Sequence, residues 1–170
     1  MITRILKFED IVKYSNDILM VYSDNRLIFD SQNIISLKTN NDVINFLANY
    51  SDADDSMILG ILDEELNLLL GIIIFDKIRV CKDRTCTQVH IATSRLIWGK
   101  PIYKIYKSIL ENLMFDVLYC EIPSIAVNAI RMAKAMGFKK TGYIPTALPY
   151  VNSRGEEKLY DIQILTMEKK

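Results

Sequence analysis

The sequence predicts one mixed α/β domain: a sheet of six or seven strands, partly parallel, with helices on both faces. Three observations lead there. Two runs rich in Ile, Leu and Val, Met57 to Leu62 and Leu68 to Val80, flank the acidic turn Asp63-Glu64-Glu65, the pattern of a hairpin of well-buried strands. The second half then alternates strand and helix, and such crossovers demand parallel neighbours and helices on either face of the sheet. Finally, Ile125, Ala129, Met132, Ala133 and Met136 mark one helical face, Gly137 ends that helix where a left-handed residue is wanted, and Phe138 opens a strand.

Ile2 to Leu6 is apolar enough for a first strand. Phe8, Ile11, Val12, Ile18, Leu19 and Tyr22 then fall at helical spacing, with Ser15 filling the gap. Thr39 or Asn40 can cap a second helix that buries Val43, Leu47 and Tyr50, and Ser51 to Asp55 is a polar loop. After the hairpin, Thr85 to Thr93 alternates as a further strand, with Val89 and Ile91 on one side and His90 and Ala92 on the other. A helix follows from Pro101, with Ile102, Ile105, Tyr106, Ile109, Leu110 and Leu113 inside and Lys104, Lys107, Glu111 and Asn112 outside. Leu110 and Ile109 are expected at its buried centre. Val117 to Ile122 is a short strand and Lys158 to Met167 the final one. In the last helix the short side chains of Ala126, Ala129, Ala133 and Ala135 permit close packing on whatever lies beneath.

Composition narrows the function. Residues 1–170 suffice for a single sizeable core, and half of them are hydrophobic against a quarter charged. Net charge is zero with a pI near 6.6, so neither composition nor patterning calls for nucleic acid as a partner. The longest apolar run, Leu68 to Phe75 with Gly71 inside it, is far short of the ~20 residues that cross a bilayer, and no membrane partner is expected. Glu9 and Asp10 stand where a signal peptide needs its apolar stretch, which points to a cytoplasmic protein. Cys81, Cys86 and Cys120 are odd in number, Cys81 and Cys86 are spaced like neither a zinc knuckle nor a redox pair, and with one histidine no metal site is expected.

The short helix closed by Gly137-Phe138, the basic strand after it and the order of elements resemble the GNAT superfamily of N-acetyltransferases over nearly the whole chain. The resemblance implies acetyl-CoA as cofactor, an amine as substrate, and two strands that splay in mid-sheet. It places acetyl-CoA along Ile91 and Thr93, and its pyrophosphate at Gly99 and Lys100, where orphan amides of a helix N-terminus form an anion site. The family turn reads Arg or Gln, two residues, Gly, one residue, then Gly or Ala. Here the segment is Arg95-Leu96-Ile97-Trp98-Gly99-Lys100-Pro101-Ile102-Tyr103-Lys104. With Gly99-Lys100 aligned to the family's frequent Gly-Lys, Trp98 takes the Arg/Gln place, and Pro101 and Tyr103 fall on the glycines. With Gly99 as the first glycine, Leu96 and Pro101 mismatch. Pro101 removes one donor in either register, which implies weak binding of acetyl-CoA.

The last helix departs as well. Ala126 stands where the family often has a CoA-contacting Asn, and Ala133 where it often has the Tyr that protonates the departing thiolate. Asn128 lies on a different face, and Tyr150 or Tyr160 is an alternative acid. His90 sits on the strand where the family often carries a base. No residue is singled out as catalytic. A second reading follows from these departures. The run from Ser94 to Lys100 and the tail from Gly142-Tyr143-Ile144-Pro145 to Leu159-Tyr160-Asp161-Ile162 are similar to the acetyltransferase-like proteins of tailed phages. Some of those proteins are head-assembly or virion components. On that reading the chain is catalytically inactive, its partners are proteins, and it resides in the host cytoplasm or the virion.

Overall fold

The computed structural model describes residues 1–24, 37–98, 100–151 and 157–169. Among them are seven strands: β1 (Ile2–Ile5), β2 (Met57–Asp63), β3 (Leu68–Cys81), β4 (Arg84–Thr93), β5 (Val117–Pro123), β6 (Lys139–Val151) and β7 (Glu157–Glu168). They form one sheet in the order β1-β2-β3-β4-β5-β7-β6. Only β4 and β5 pair in parallel; the other neighbours are antiparallel. The described residues also form five helices, α1 (Phe8–Lys13), α2 (Ser15–Asp24), α3 (Asn40–Ser51), α4 (Lys100–Asn112) and α5 (Val127–Met136).

Alternation along the strands divides the core into two layers. Ile58, Leu62, Ile72, Ile74 and Ala92 pack with Ile11, Ile18, Val43 and Leu47 of α1, α2 and α3 on one face. Leu59, Ile61, Ile73, Phe75, Val89 and Leu118 pack with Ile102, Tyr106, Leu110 and Ala133 of α4 and α5 on the other. The expected mixed sheet with helices on both faces is therefore the observed one.

Several boundaries differ from expectation. The first helix is two: Tyr14 leaves helical geometry at φ −101°, ψ 17°, so α1 and α2 meet at a kink. Tyr14 is buried, and its hydroxyl and the Lys13 Nζ both reach Asn67 Oδ1 in the β2–β3 turn, which draws the chain out of line. Thr39, not Asn40, caps α3; its hydroxyl accepts the Asp42 N–H at 3.2 Å, and the Asp42 carboxylate accepts the Thr39 N–H at 2.8 Å. In α5 the buried residues are Ile130, Ala133 and Met136, while Ile125 precedes the helix and Ala135 faces solvent. Its end is as expected: Gly137 adopts φ 108°, and the N–H groups of Gly137 and Phe138 return to Lys134 and Ala133.

Candidate functional site

The parallel pair β4–β5 is closed at one end and open at the other. At the closed end the Asp116 carboxylate accepts the Thr85 N–H at 2.6 Å and the Thr85 hydroxyl at 2.9 Å, while the Asp116 N–H returns to the Thr85 carbonyl. Those bonds, with backbone donation first, hold the Asp116 carboxyl below the usual carboxylate range. The register then runs through Cys86↔Val117, Thr87↔Leu118 and Gln88↔Tyr119 and goes no further. Beyond Gln88, β4 continues against β3 to Thr93, while β5 pairs with β7 as far as Pro123. The strands therefore splay toward their carboxyl ends, where α4 and α5 begin.

Register fixes which backbone groups face that gap. The Ser94 N–H donates to the Leu70 carbonyl of β3 at 2.9 Å. Alternate residues of an antiparallel strand point their peptide groups to opposite sides, so Thr93 and Ile91 point away from β3, toward β5. Of the four residues expected to line a cofactor, Ile91 and Thr93 thus turn their backbone toward the open gap. The Ile91 side chain packs on the α4–α5 layer, opposite to Ala92, as the alternation predicted.

Beyond Thr93 the chain makes a 3-10 turn, Arg95–Ile97, in which the buried Ser94 hydroxyl accepts the Leu96 N–H. Gly99 lies outside the described residues, as does the side chain of Lys100, the first residue of α4. Pro101 is in the first turn of that helix, a favoured place for a residue without an N–H. Tyr103 is half-buried against the α4–α5 core. Arg95 and Lys104 are exposed nearby, and the first turn of α4 carries no acidic residue, which favours an anion there.

Two residues that sequence reasoning placed elsewhere shape this end of β4. Tyr106 was legible as a buried helix position, but its hydroxyl is what matters: it lies 2.5 Å from Thr93 Oγ1 and also donates to the Ala92 carbonyl at 3.2 Å. Burial pushes its pKa up, opposed by the Thr93 hydrogen bond. Gly71 of β3 makes room for it, since a Cβ there would sit 2.6 Å from the Tyr106 hydroxyl. Trp98 was assigned to an alignment position, whereas its indole Nε1 donates to the Thr93 carbonyl at 3.0 Å.

The opposite face of the sheet carries the polar groups. Ile74↔His90 and Asp76↔Gln88 are cross-strand pairs, so His90, Asp76 and Gln88 share that face. Gln88 Oε1 accepts from Lys77 Nζ at 2.8 Å and from the Tyr119 hydroxyl at 3.5 Å. The His90 Nε2 is enclosed and has no hydrogen-bond partner among the described residues. Burial holds His90 below its ordinary 6.5; Asp76 pulls it partly back and Lys77 adds to the lowering. Of the alternative acids, Tyr160 is half-buried on β7 and the Tyr150 side chain lies outside the described residues. Asn128 is exposed, and Ala133 is buried in the core. Cys120 is buried, with its thiol pushed up to about 12 by that burial. Among the described residues no group of His, Cys, Asp and Glu side chains could hold a metal ion, and no helix is long and apolar enough to cross a membrane. Two surface grooves of about 360 Å³ run between β1 and α4, and neither is lined by β4 or β5.

No family model matches the sequence, and no curated protein does. Solved structures do. The spermidine N-acetyltransferase of Vibrio cholerae, in complex with CoA and spermine, superposes with a TM-score of 0.73 at 13% identity, covering 98% of this chain and 94% of that one. A GNAT-family acetyltransferase of Streptococcus pneumoniae gives 0.66 at 14% identity over 99% of both chains. The ribosomal-protein-alanine N-acetyltransferase of Brucella melitensis gives 0.69 at 15% identity, over 99% of this chain and 100% of that one. The mixed seven-stranded sheet, open between β4 and β5, is the fold of the GNAT acetyltransferases.

Proposed function

We propose that this chain is a GNAT-superfamily N-acetyltransferase that moves an acetyl group from acetyl-CoA to an amine. One observation carries the reading: the splay turns the backbone of Ile91 and Thr93 into the gap, beside the N-terminus of α4. Peptide groups pointing into a gap between strands suit an extended, amide-bearing ligand, and a helix N-terminus suits its phosphates. The residues fit acetyl-CoA, with one amide fewer than the family turn supplies. Ile91 and Thr93 would hold its pantetheine arm and Gly99 and Lys100 its pyrophosphate, with Arg95 and Lys104 adding positive charge. When bound, acetyl-CoA supplies an acetyl group activated as a thioester. His90, whose neutral form burial favours, would take the proton of the substrate ammonium through water rather than by direct contact, since its Nε2 is enclosed. Cytoplasmic residence agrees with that cofactor.

A second reading draws on Pro101 in the first turn of α4 together with Ala126 and Ala133 in the places of the family's Asn and Tyr. It is a non-catalytic protein of this fold, with a structural role such as that of the phage head-assembly or virion proteins. Calorimetry with acetyl-CoA separates the two, followed by release of free CoA thiol in the presence of spermine or a peptide with N-terminal alanine. Binding and amine-dependent thiol release are expected. The absence of both decides for the second reading.

A further inference from the structure

We infer that Trp98 gates the cofactor cleft by occupying, with its own indole N–H, the strand carbonyl that an incoming ligand needs. The inference rests on the acetyl-CoA reading of the β4–β5 gap. The Thr93 carbonyl is the last one that β4 turns toward that gap, and Trp98 Nε1 donates to it at 3.0 Å. An amide laid along β4 requires an acceptor of that kind, so indole and ligand compete for one oxygen.

The contact is built by the turn that precedes it. Buried Ser94 closes the 3-10 turn through the Leu96 N–H, and the Trp98 N–H donates to the Arg95 carbonyl at 3.3 Å. Trp98 itself is extended, at φ −65° and ψ 140°, which folds the indole back over the end of the strand. The Arg95 guanidinium stands 5.5 Å from the ring centroid and braces its outer side. Trp98 is 55% exposed, so its indole can swing away without opening a cavity in the core. A bound ligand that displaces it gains the carbonyl only after that contact breaks, and the apparent affinity falls by the fraction of molecules in the open state.

The chain holds a single tryptophan, so its fluorescence reports this one contact. Coenzyme A is titrated into the wild-type protein and into Trp98→Phe, which keeps a ring and removes the donor. Heat is recorded by calorimetry for both proteins and emission for the wild type. Trp98→Phe should bind coenzyme A about two- to tenfold more tightly, the worth of one competing hydrogen bond. Wild-type emission should shift to longer wavelength as the indole passes into water, with the same midpoint as the heat. Binding with unmoved emission, or a Trp98→Phe affinity equal to or below that of the wild type, overturns the gate and leaves the acetyl-CoA reading standing. No heat with either protein overturns both.

Discussion

At the residue scale the end of β4, still paired with β3 on one side, is also held by side-chain hydroxyls. Tyr106, fully buried on α4, shares a hydrogen bond with Thr93 and donates to the Ala92 carbonyl, and Gly71 leaves the space its hydroxyl occupies. Tyr106→Phe should therefore lower stability by about 1 kcal/mol in urea melts. Gly71→Ala should cost more in the wild type, because its Cβ would meet that hydroxyl at 2.6 Å, than in Tyr106→Phe, where the hydroxyl is gone. Additive losses in the double-mutant cycle would refute this packing account. His90 gives a pH dependence. Its folded pKa is lowered by burial, so the unfolded chain takes up the proton first as pH falls. Its contribution is intact above its ordinary value of 6.5 and is lost as pH drops from there through the lower folded value. Stability measured between pH 7.5 and 5 should fall less steeply in His90→Gln than in the wild type.

At the element scale α4 shows how far periodicity carries. Ile102, Tyr106 and Leu110 recur every fourth residue and are all buried, whereas Ile109, expected at the centre, is only half-buried beside the groove along β1. A stripe drawn from spacing alone is wider than the face that the sheet covers. Leu110→Ala should cost about 2–5 kcal/mol, since it empties a fully enclosed site. Lys107 meets Glu111 at 3.7 Å on the outer face, with its side chain 44% exposed, so Lys107→Ala should change stability by less than about 0.5 kcal/mol. Equal shifts of the two denaturation midpoints would show that the helix has been turned the wrong way. The Thr39 cap and the Gly137 stop were legible because they are local chemistry. The kink at Tyr14 was not, since it depends on Asn67, distant in sequence.

At the scale of the whole molecule, order of elements was enough to reach the sheet, because a strand–helix–strand crossover leaves few topologies open. The candidate site was legible only in part. Ile91 and Thr93 offer backbone, which carries no residue signature, and came from a family resemblance; the register now supplies the physical reason they face the gap. Tyr103, at one of the family's glycine positions, is half-buried against the α4–α5 layer. Pro101 leaves the first turn of α4 one amide short for phosphate. A charge-assisted bond of this kind is worth about 1.5–3 kcal/mol, equivalent to roughly ten- to a hundredfold in affinity. Pro101→Ala should therefore tighten acetyl-CoA binding, and pyrophosphate alone should show the same gain, because the missing donor faces the anion and not the acyl arm. Tyr103→Phe should leave both affinities unchanged. A gain for acetyl-CoA without one for pyrophosphate would place the effect elsewhere on the cofactor, and tight binding by the wild type would mean that Arg95 and Lys104 already make good the lost amide.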